Sequence, residues 1–275
     1  MELAVPIFCE DKVYDVIEIK KPKTGVITAT YEAMQKGNIF RAMLEFVSGS
    51  VLSLISIEGD VVDEFAKIKK LCGAMPYITA EAVALKIMCE VNEEDSVEGM
   101  YNCPRCNTKI LIELDKETGI DSRDKISELE VKIMEPSMYV NSIPVLLSEA
   151  VVLKNTKTGE VLETIEEFAI RYPTLNDCIL AGQNMMEGQE VRVQMKLYSN
   201  ALISRNGIDI DRKWASTWGD ILIKNTGVKD LTQIGKALQE YGLKKTVERS
   251  CFNCGKVWEA AINTSNFFVS GLQSV

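Results

Sequence analysis

Tyr101-Asn102-Cys103-Pro104-Arg105-Cys106 leads into Lys109-Ile110-Leu111-Ile112-Glu113-Leu114, and Ser250-Cys251-Phe252-Asn253-Cys254-Gly255 leads into Lys256-Val257-Trp258-Glu259-Ala260-Ala261-Ile262. Each stretch is a Cys-x-x-Cys hook in a tight turn followed by a strand pattern. Two such hooks supply four thiolates, the donor set of a tetrahedral structural zinc site. Cys103, Cys106, Cys251 and Cys254 are therefore predicted to share one Zn2+. The turns suit the task, because Pro104, Asn107, Asn253 and Gly255 let backbone N–H groups after the first Cys point at sulfur. The two strands that follow the hooks are expected to pair beside the ion. The hooks lie 144 residues apart. Loop closure grows only logarithmically with length, whereas structural zinc in finger peptides contributes on the order of 10–16 kcal/mol. A clamp across that distance is feasible.

Other readings of the cysteines stay open. Cys103-Pro104-Arg105-Cys106 resembles a dithiol redox turn, but such turns open a helix whose N-terminus lowers the thiol pKa, and here a strand pattern follows. A disulfide does not fit a cytosolic chain, and another metal is a further alternative. Cys9, Cys72, Cys89 and Cys178 stand alone in apolar or helical surroundings and read as small buried hydrophobes.

Working outward, the bulk numbers fit a soluble globular protein of about two domains, with 46% hydrophobic and 26% charged residues. A net charge of −9 disfavours sequence-independent binding to phosphate backbones. Around the hooks Arg105, Lys109, Arg249 and Lys256 are matched by Glu113, Asp115, Glu248 and Glu259, so no basic stripe marks a nucleic-acid surface. No stretch has the roughly 20 apolar residues of a membrane span, and the start lacks a secretory signature. Histidine is absent, which removes the commonest general base and the Ser-His and Cys-His pairs. No enzymatic activity is expected.

In chain order, Val13–Lys20 alternates like a strand. Pro22 and Gly25 mark a turn, and a helix capped by Thr28 or Thr30 runs to about Val47, with Gly37 dividing it into two pieces. A turn at Ser48-Gly49-Ser50 precedes a helix capped by Asp60 and ending at Gly73, then another bracketed by Thr79 and Glu90. Later helices are expected over 161–171, 174–187, 189–204, 211–224 and 229–241. Leu153–Leu162 echoes Ile19–Ile27 through a shared Lys-Thr-Gly turn at an offset of 134, and the hooks recur at an offset of 148. Strand, turn, helices and hook thus occur twice, which reads as a duplication, although Lys-Thr-Gly is also a common turn. The expectation is an α+β fold: a first half at 1–115, a connector at 116–148 with at least one short strand or helix, and a second half at 149–275. The two helix-rich halves would be joined by a ribbon from 101–115 and 249–264. Met185-Met186, Trp214 and Trp218 read as core, and Phe267-Phe268 as a plug over the ribbon or a docking segment.

Tyr241-Gly242-Leu243, Cys251, Cys254, Gly255 and Asn266-Phe267-Phe268 together resemble the C-terminal part of bacteriophage baseplate hub assembly proteins of the T-even type, which carry a Cys-x-x-Cys ribbon. Ile19-Lys20-Lys21-Pro22-Lys23-Thr24-Gly25 is similar to the opening strand and turn of phage tail assembly chaperones, and Cys103–Leu114 would be the first hook of the same ribbon. The resemblance implies a protein of the infected bacterial cytoplasm, or of the virion tail baseplate, that binds hub and tape-measure proteins and no membrane. A zinc-ribbon nucleic-acid or transcription factor and a thiol oxidoreductase using Cys103 and Cys106 are the alternatives.

Overall fold

The computed structural model describes residues 1–91, 95–115, 117–182 and 190–262. The chain begins with a hairpin of β1 (Glu2–Cys9) and β2 (Lys12–Ile19), followed by α1 (Thr24–Gln35) and α2 (Ile39–Ser50). A second hairpin, β3 (Val51–Ser56) and β4 (Val61–Val62), precedes α3 (Phe65–Ala74) and α4 (Tyr77–Val91). The four strands form one antiparallel sheet in the order β1-β2-β3-β4. Two short strands and the first hook come next: β5 (Ser96–Val97), then β6 (Gly99–Asn102) and β7 (Lys109–Ile112).

The connector does contain short elements: β8 (Asp124–Lys125), β9 (Val131–Lys132) and 3-10 turns at Ile126–Glu128 and Pro136–Met138. The next strand, β10 (Ile143–Lys154), crosses the expected boundary at 149, so the second set of elements begins at 143. It continues with β11 (Val161–Ile170), α5 (Leu175–Ala181), α6 (Glu190–Ala201), β12 (Leu202–Arg205), β13 (Ile208–Asp209), α7 (Arg212–Asn225) and α8 (Val228–Leu238). These strands make a second antiparallel sheet, β10-β11-β12-β13. After β14 (Gly242–Leu243) the second hook lies between β15 (Thr246–Ser250) and β16 (Val257–Ala261).

The order ββααββαα followed by a cysteine hairpin occurs twice, on a register other than the Lys-Thr-Gly echo. Gly25 lies inside α1. Gly159, at φ +74, lies in the β10–β11 turn, where Asn155 Oδ1 accepts from the Lys157 and Thr158 N–H groups. The first-half counterpart of that turn is Glu10-Asp11, with Glu10 at φ 56. In the structure Ile19 ends β2, Lys20–Lys23 form a loop, and Thr24 and Gly25 begin α1. In both halves a helix runs into a strand without a loop, α2 into β3 at Ser50-Val51 and α6 into β12 at Ala201-Leu202, 151 residues apart. That junction replaces the expected turn at Ser48–Ser50.

Both edge strands are bulged, and a helix grips each bulge. The β1 register shifts between Glu2 and Ile7, around Pro6, and that of β10 between Leu146 and Val151. Proline is tolerated at an edge strand or bulge because no ladder N–H is needed there. Thr79, third residue of α4, accepts from Val5 N at 2.9 Å and donates to Val5 O at 2.9 Å. Asp230, third residue of α8, accepts from Ser148 N at 3.1 Å and Ser148 Oγ at 2.9 Å. Asp230 is 2% exposed, and Asp230→Ala removes both of its hydrogen bonds to Ser148, a residue at the surface. A loss of about 1–3 kcal/mol is expected in urea unfolding.

The cores are interlocked. The first gathers Ile17, Phe46, Leu54 and Met88 but also takes Leu175 and Ile262; the second gathers Ile165, Phe168, Leu222 and Ile234 and takes Val5 from β1. Backbone bonds tie the α3–α4 junction to the segment before α5, Tyr77 N to Pro173 O and Leu175 N to Met75 O, both at 2.9 Å.

Three further expectations change. Residues 161–171 form β11, not a helix, because Val161–Ile170 pairs with β10 and β12 on either side. Trp214 is exposed, while Trp218 packs at the second core beneath the Arg205 guanidinium, 4.0 Å from the ring centroid. The strands after the hooks do not pair with each other, since β7 pairs with β6 and β16 with β15. Met185-Met186 and Phe267-Phe268 lie outside the described residues. Among the described residues no helix is long and apolar enough to cross a membrane.

Candidate metal centre

Each hook is a hairpin turn built the same way. Asn107 and Gly255, four residues after the first cysteine, take φ values of 56° and 67°, the left-handed region that Gly and Asn enter most easily. That twist lets Asn107 N–H donate to Cys103 O at 2.9 Å and Gly255 N–H to Cys251 O at 2.8 Å. Cys103 N–H then reaches Thr108 O, and Cys251 N–H reaches Lys256 O, both at 2.9 Å. Arg105 N–H points at Cys103 Sγ from 3.4 Å, as anticipated for a thiolate turn.

The hooks meet. Cys103 Sγ lies 3.6 Å from Cys254 Sγ, and Cys106 Sγ 3.5 Å from Cys251 Sγ. All four sulfurs fall within 4.8 Å of one another. A tetrahedral ion with metal–sulfur distances of about 2.3 Å, as in zinc–thiolate sites, sets its sulfurs about 3.8 Å apart. The four residues named from the sequence are thus positioned to hold one metal ion. Cys103 and Cys251 are buried at 2% exposure, and the second cysteine of each hook lies nearer solvent.

Protonation within the cluster is divided. The Cys106 thiol is held at about 6, first by the Thr108 side-chain hydrogen bond and then by the Thr108 backbone. For Cys103, burial opposes ionisation, but the N–H groups of Cys106 and Arg105 bring the thiol below its ordinary value. The Cys254 thiol, although helped by the Lys256 N–H, is pushed up to about 12 by burial and by its three sulfur neighbours. Four adjacent thiols do not all ionise without a cation; an ion that binds them releases their protons.

Outside the cluster, burial pushes Cys72 up to about 12 and Cys89 to about 11, and it also raises Cys178. Cys72 and Cys178 are buried, whereas Cys9 and Cys89 are half-buried. In metal-stripped protein at neutral pH, Cys106 should alkylate first and Cys72 and Cys178 last. Peptide mapping after a brief iodoacetamide pulse reads that order.

Side chains beyond the ligands also join the hairpins. Arg249 pairs with Asp124 and lies 5.0 Å from the centre of the Tyr101 ring. Tyr101 Oη donates to Asp124 Oδ2 at 3.1 Å, and Asn253 Nδ2 to Thr108 Oγ1 at 3.2 Å. From the sequence, Arg249 counted only toward charge balance, and Tyr101 and Asp124 not at all. The one available signal was position, since Tyr101 and Arg249 both stand two residues before the first cysteine of their hook.

At the root of the second hook, β14 pairs with β9. Gly242 takes φ +95, and a Cβ there would approach Ile78 Cβ to 3.2 Å. The Tyr-Gly-Leu segment thus fastens the second half to α4, and Lys245 adds an ion pair with Glu81. Comparison of the chain with family models, with curated proteins and with solved structures finds no match.

Proposed function

We propose that this chain is a non-enzymatic assembly factor or structural component of a phage-type tail baseplate, acting by protein–protein binding, with a Zn2+ clamping its two halves. The observation that carries the clamp is the gathering of four thiol sulfurs, from hairpins 144 residues apart, within 4.8 Å. Four protein donors fill a tetrahedral site and leave no open position for substrate, which is the pattern of structural zinc. The ion's work is then mechanical, fixing the second-half hairpin against the first half. The baseplate assignment rests on the resemblance carried by Tyr241-Gly242-Leu243, Cys251, Cys254 and Gly255.

The test is recovery of the tagged full chain with hub and tape-measure proteins of a T-even-type phage, with metal analysis of the eluate. A complex that survives raised salt and carries one zinc per chain supports the reading. Retention on nucleic acid that falls steeply with salt would transfer it to a ribbon-type nucleic-acid factor. Catalysed thiol–disulfide exchange would transfer it to an oxidoreductase.

A further inference from the structure

The metal centre has a local twofold character that its ligands alone do not explain. Exchanging Cys103 with Cys251 and Cys106 with Cys254 maps the 3.6 Å Cys103–Cys254 contact onto the 3.5 Å Cys106–Cys251 contact. The same exchange maps Tyr101 onto Arg249, and these two residues touch each other. Equivalent positions that meet lie beside the axis, so this pair sits where the two hairpins come together. There the chain breaks the symmetry, placing an aromatic ring on one hook and a guanidinium on the other.

Asp124 completes the contact. Its carboxylate takes Arg249 on Oδ1 and the Tyr101 hydroxyl on Oδ2, and its backbone is held in register with Val97 just before the first hook. The Asp124 and Arg249 side chains are 8% and 18% exposed, so the pair works where solvent screens it weakly. Arginine suits this place because one planar group meets a carboxylate through its edge and an aromatic ring through its face.

We propose that Arg249, held by Asp124 and Tyr101, is a latch that aligns the two hooks before the ion arrives and so sets how tightly the metal is retained. The reason is preorganisation. Hooks 144 residues apart must otherwise be brought together by the binding event, and ordering done in advance appears as affinity. The latch is a positioning device, since none of its three residues is a ligand, and it rests on reading the four thiolates as a metal site.

The test uses the full chain loaded with Zn2+, following release to a chromogenic chelator and affinity by competition. Arg249→Met is expected to weaken affinity about 10- to 100-fold and to speed release, the range found when groups supporting metal ligands are removed. Arg249→Lys should recover only part of the loss, and Tyr101→Phe, which keeps the ring but loses the bond to Asp124, should cost several-fold. The Tyr101→Leu and Arg249→Met effects should be strongly non-additive in zinc affinity. A merely structural role would lower metal-free thermal stability while leaving affinity and release rate at the parent values, and that result overturns the latch. Should Arg249→Met fail to fold, Tyr101→Phe and Arg249→Lys decide, and parent-like release from both overturns it. A parent chain that holds no zinc overturns the metal reading itself, an outcome distinct from zinc binding that ignores Arg249.

Discussion

Replacing Cys251 and Cys254 with Ser should take bound zinc from one ion per chain to none, and the protein should lose heat stability with it. The two cysteines contribute half of the donor set and belong to the hook farther along the chain, so their removal leaves Cys103 and Cys106 with two open positions. An ion bound only by the folded chain adds about 4 kcal/mol when its free concentration is 1,000 times its Kd. For a chain of this size that corresponds to roughly 8–16 °C in Tm. EDTA should lower the parent toward the variant and leave the variant unmoved. Both cores lie mostly outside the hairpins, so far-ultraviolet circular dichroism should retain most of its signal while the midpoint falls. Acid should act in the same direction, since every ligand must shed a proton to bind. Equal zinc in parent and variant by elemental analysis would refute the site.

Gly219→Ala should cost about 3 kcal/mol, at the upper end of ordinary overpacking. Gly219 lies in α7 where that helix crosses α6. A Cβ built there stands 2.2 Å from Ser199 O and 2.5 Å from Ser199 Cα. Those are backbone atoms of a helix and cannot swing aside like a side chain. The helices must separate, and the nearby buried Ala201 and Leu222 would lose packing. Gly25→Ala is the matched control. Gly25 is the second residue of α1 with no atom within 4 Å of the added Cβ, so alanine's better helix propensity should add up to about 0.5 kcal/mol at this first-turn position. Urea midpoints of the two variants should move in opposite directions. Similar shifts would show that the α6–α7 crossing is not the constraint.

The hooks could be read from the chain alone because their chemistry closes locally. Within each, the left-handed residue, the two turn hydrogen bonds and both thiols lie in six consecutive residues, so residue type and spacing nearly define the geometry. The division of the first helical region at Gly37 was legible for the same reason: its φ of +75 ends α1, and Asn38 Oδ1 caps α2 by accepting from Arg41 N at 3.0 Å.

The strands of the sheets were harder. β1 is buried through Leu3–Ile7 and so lacks the alternation of a half-exposed strand. Val161–Ile170 spaces Val161, Ile165, Phe168 and Ala169 in a way that also suits a helix, and only the ladders to β10 and β12 make it a strand. Pairing partners come from distant parts of the chain, and no local window contains them.

The recurring element order shows the same division. A shared Lys-Thr-Gly suggested one register, but a tripeptide adopts the structure its neighbours impose, a helix start at Gly25 and a hairpin turn at Gly159. Element order and the two bulge grips, Thr79 on Val5 and Asp230 on Ser148, set a different register through contacts that differ in chemistry and agree in place. By itself the sequence determined which four sulfurs meet, because a thiolate turn is encoded in neighbouring residues. Only the tertiary structure decided what holds the two hooks together, because Asp124, Tyr101 and Arg249 become neighbours only after both halves have packed.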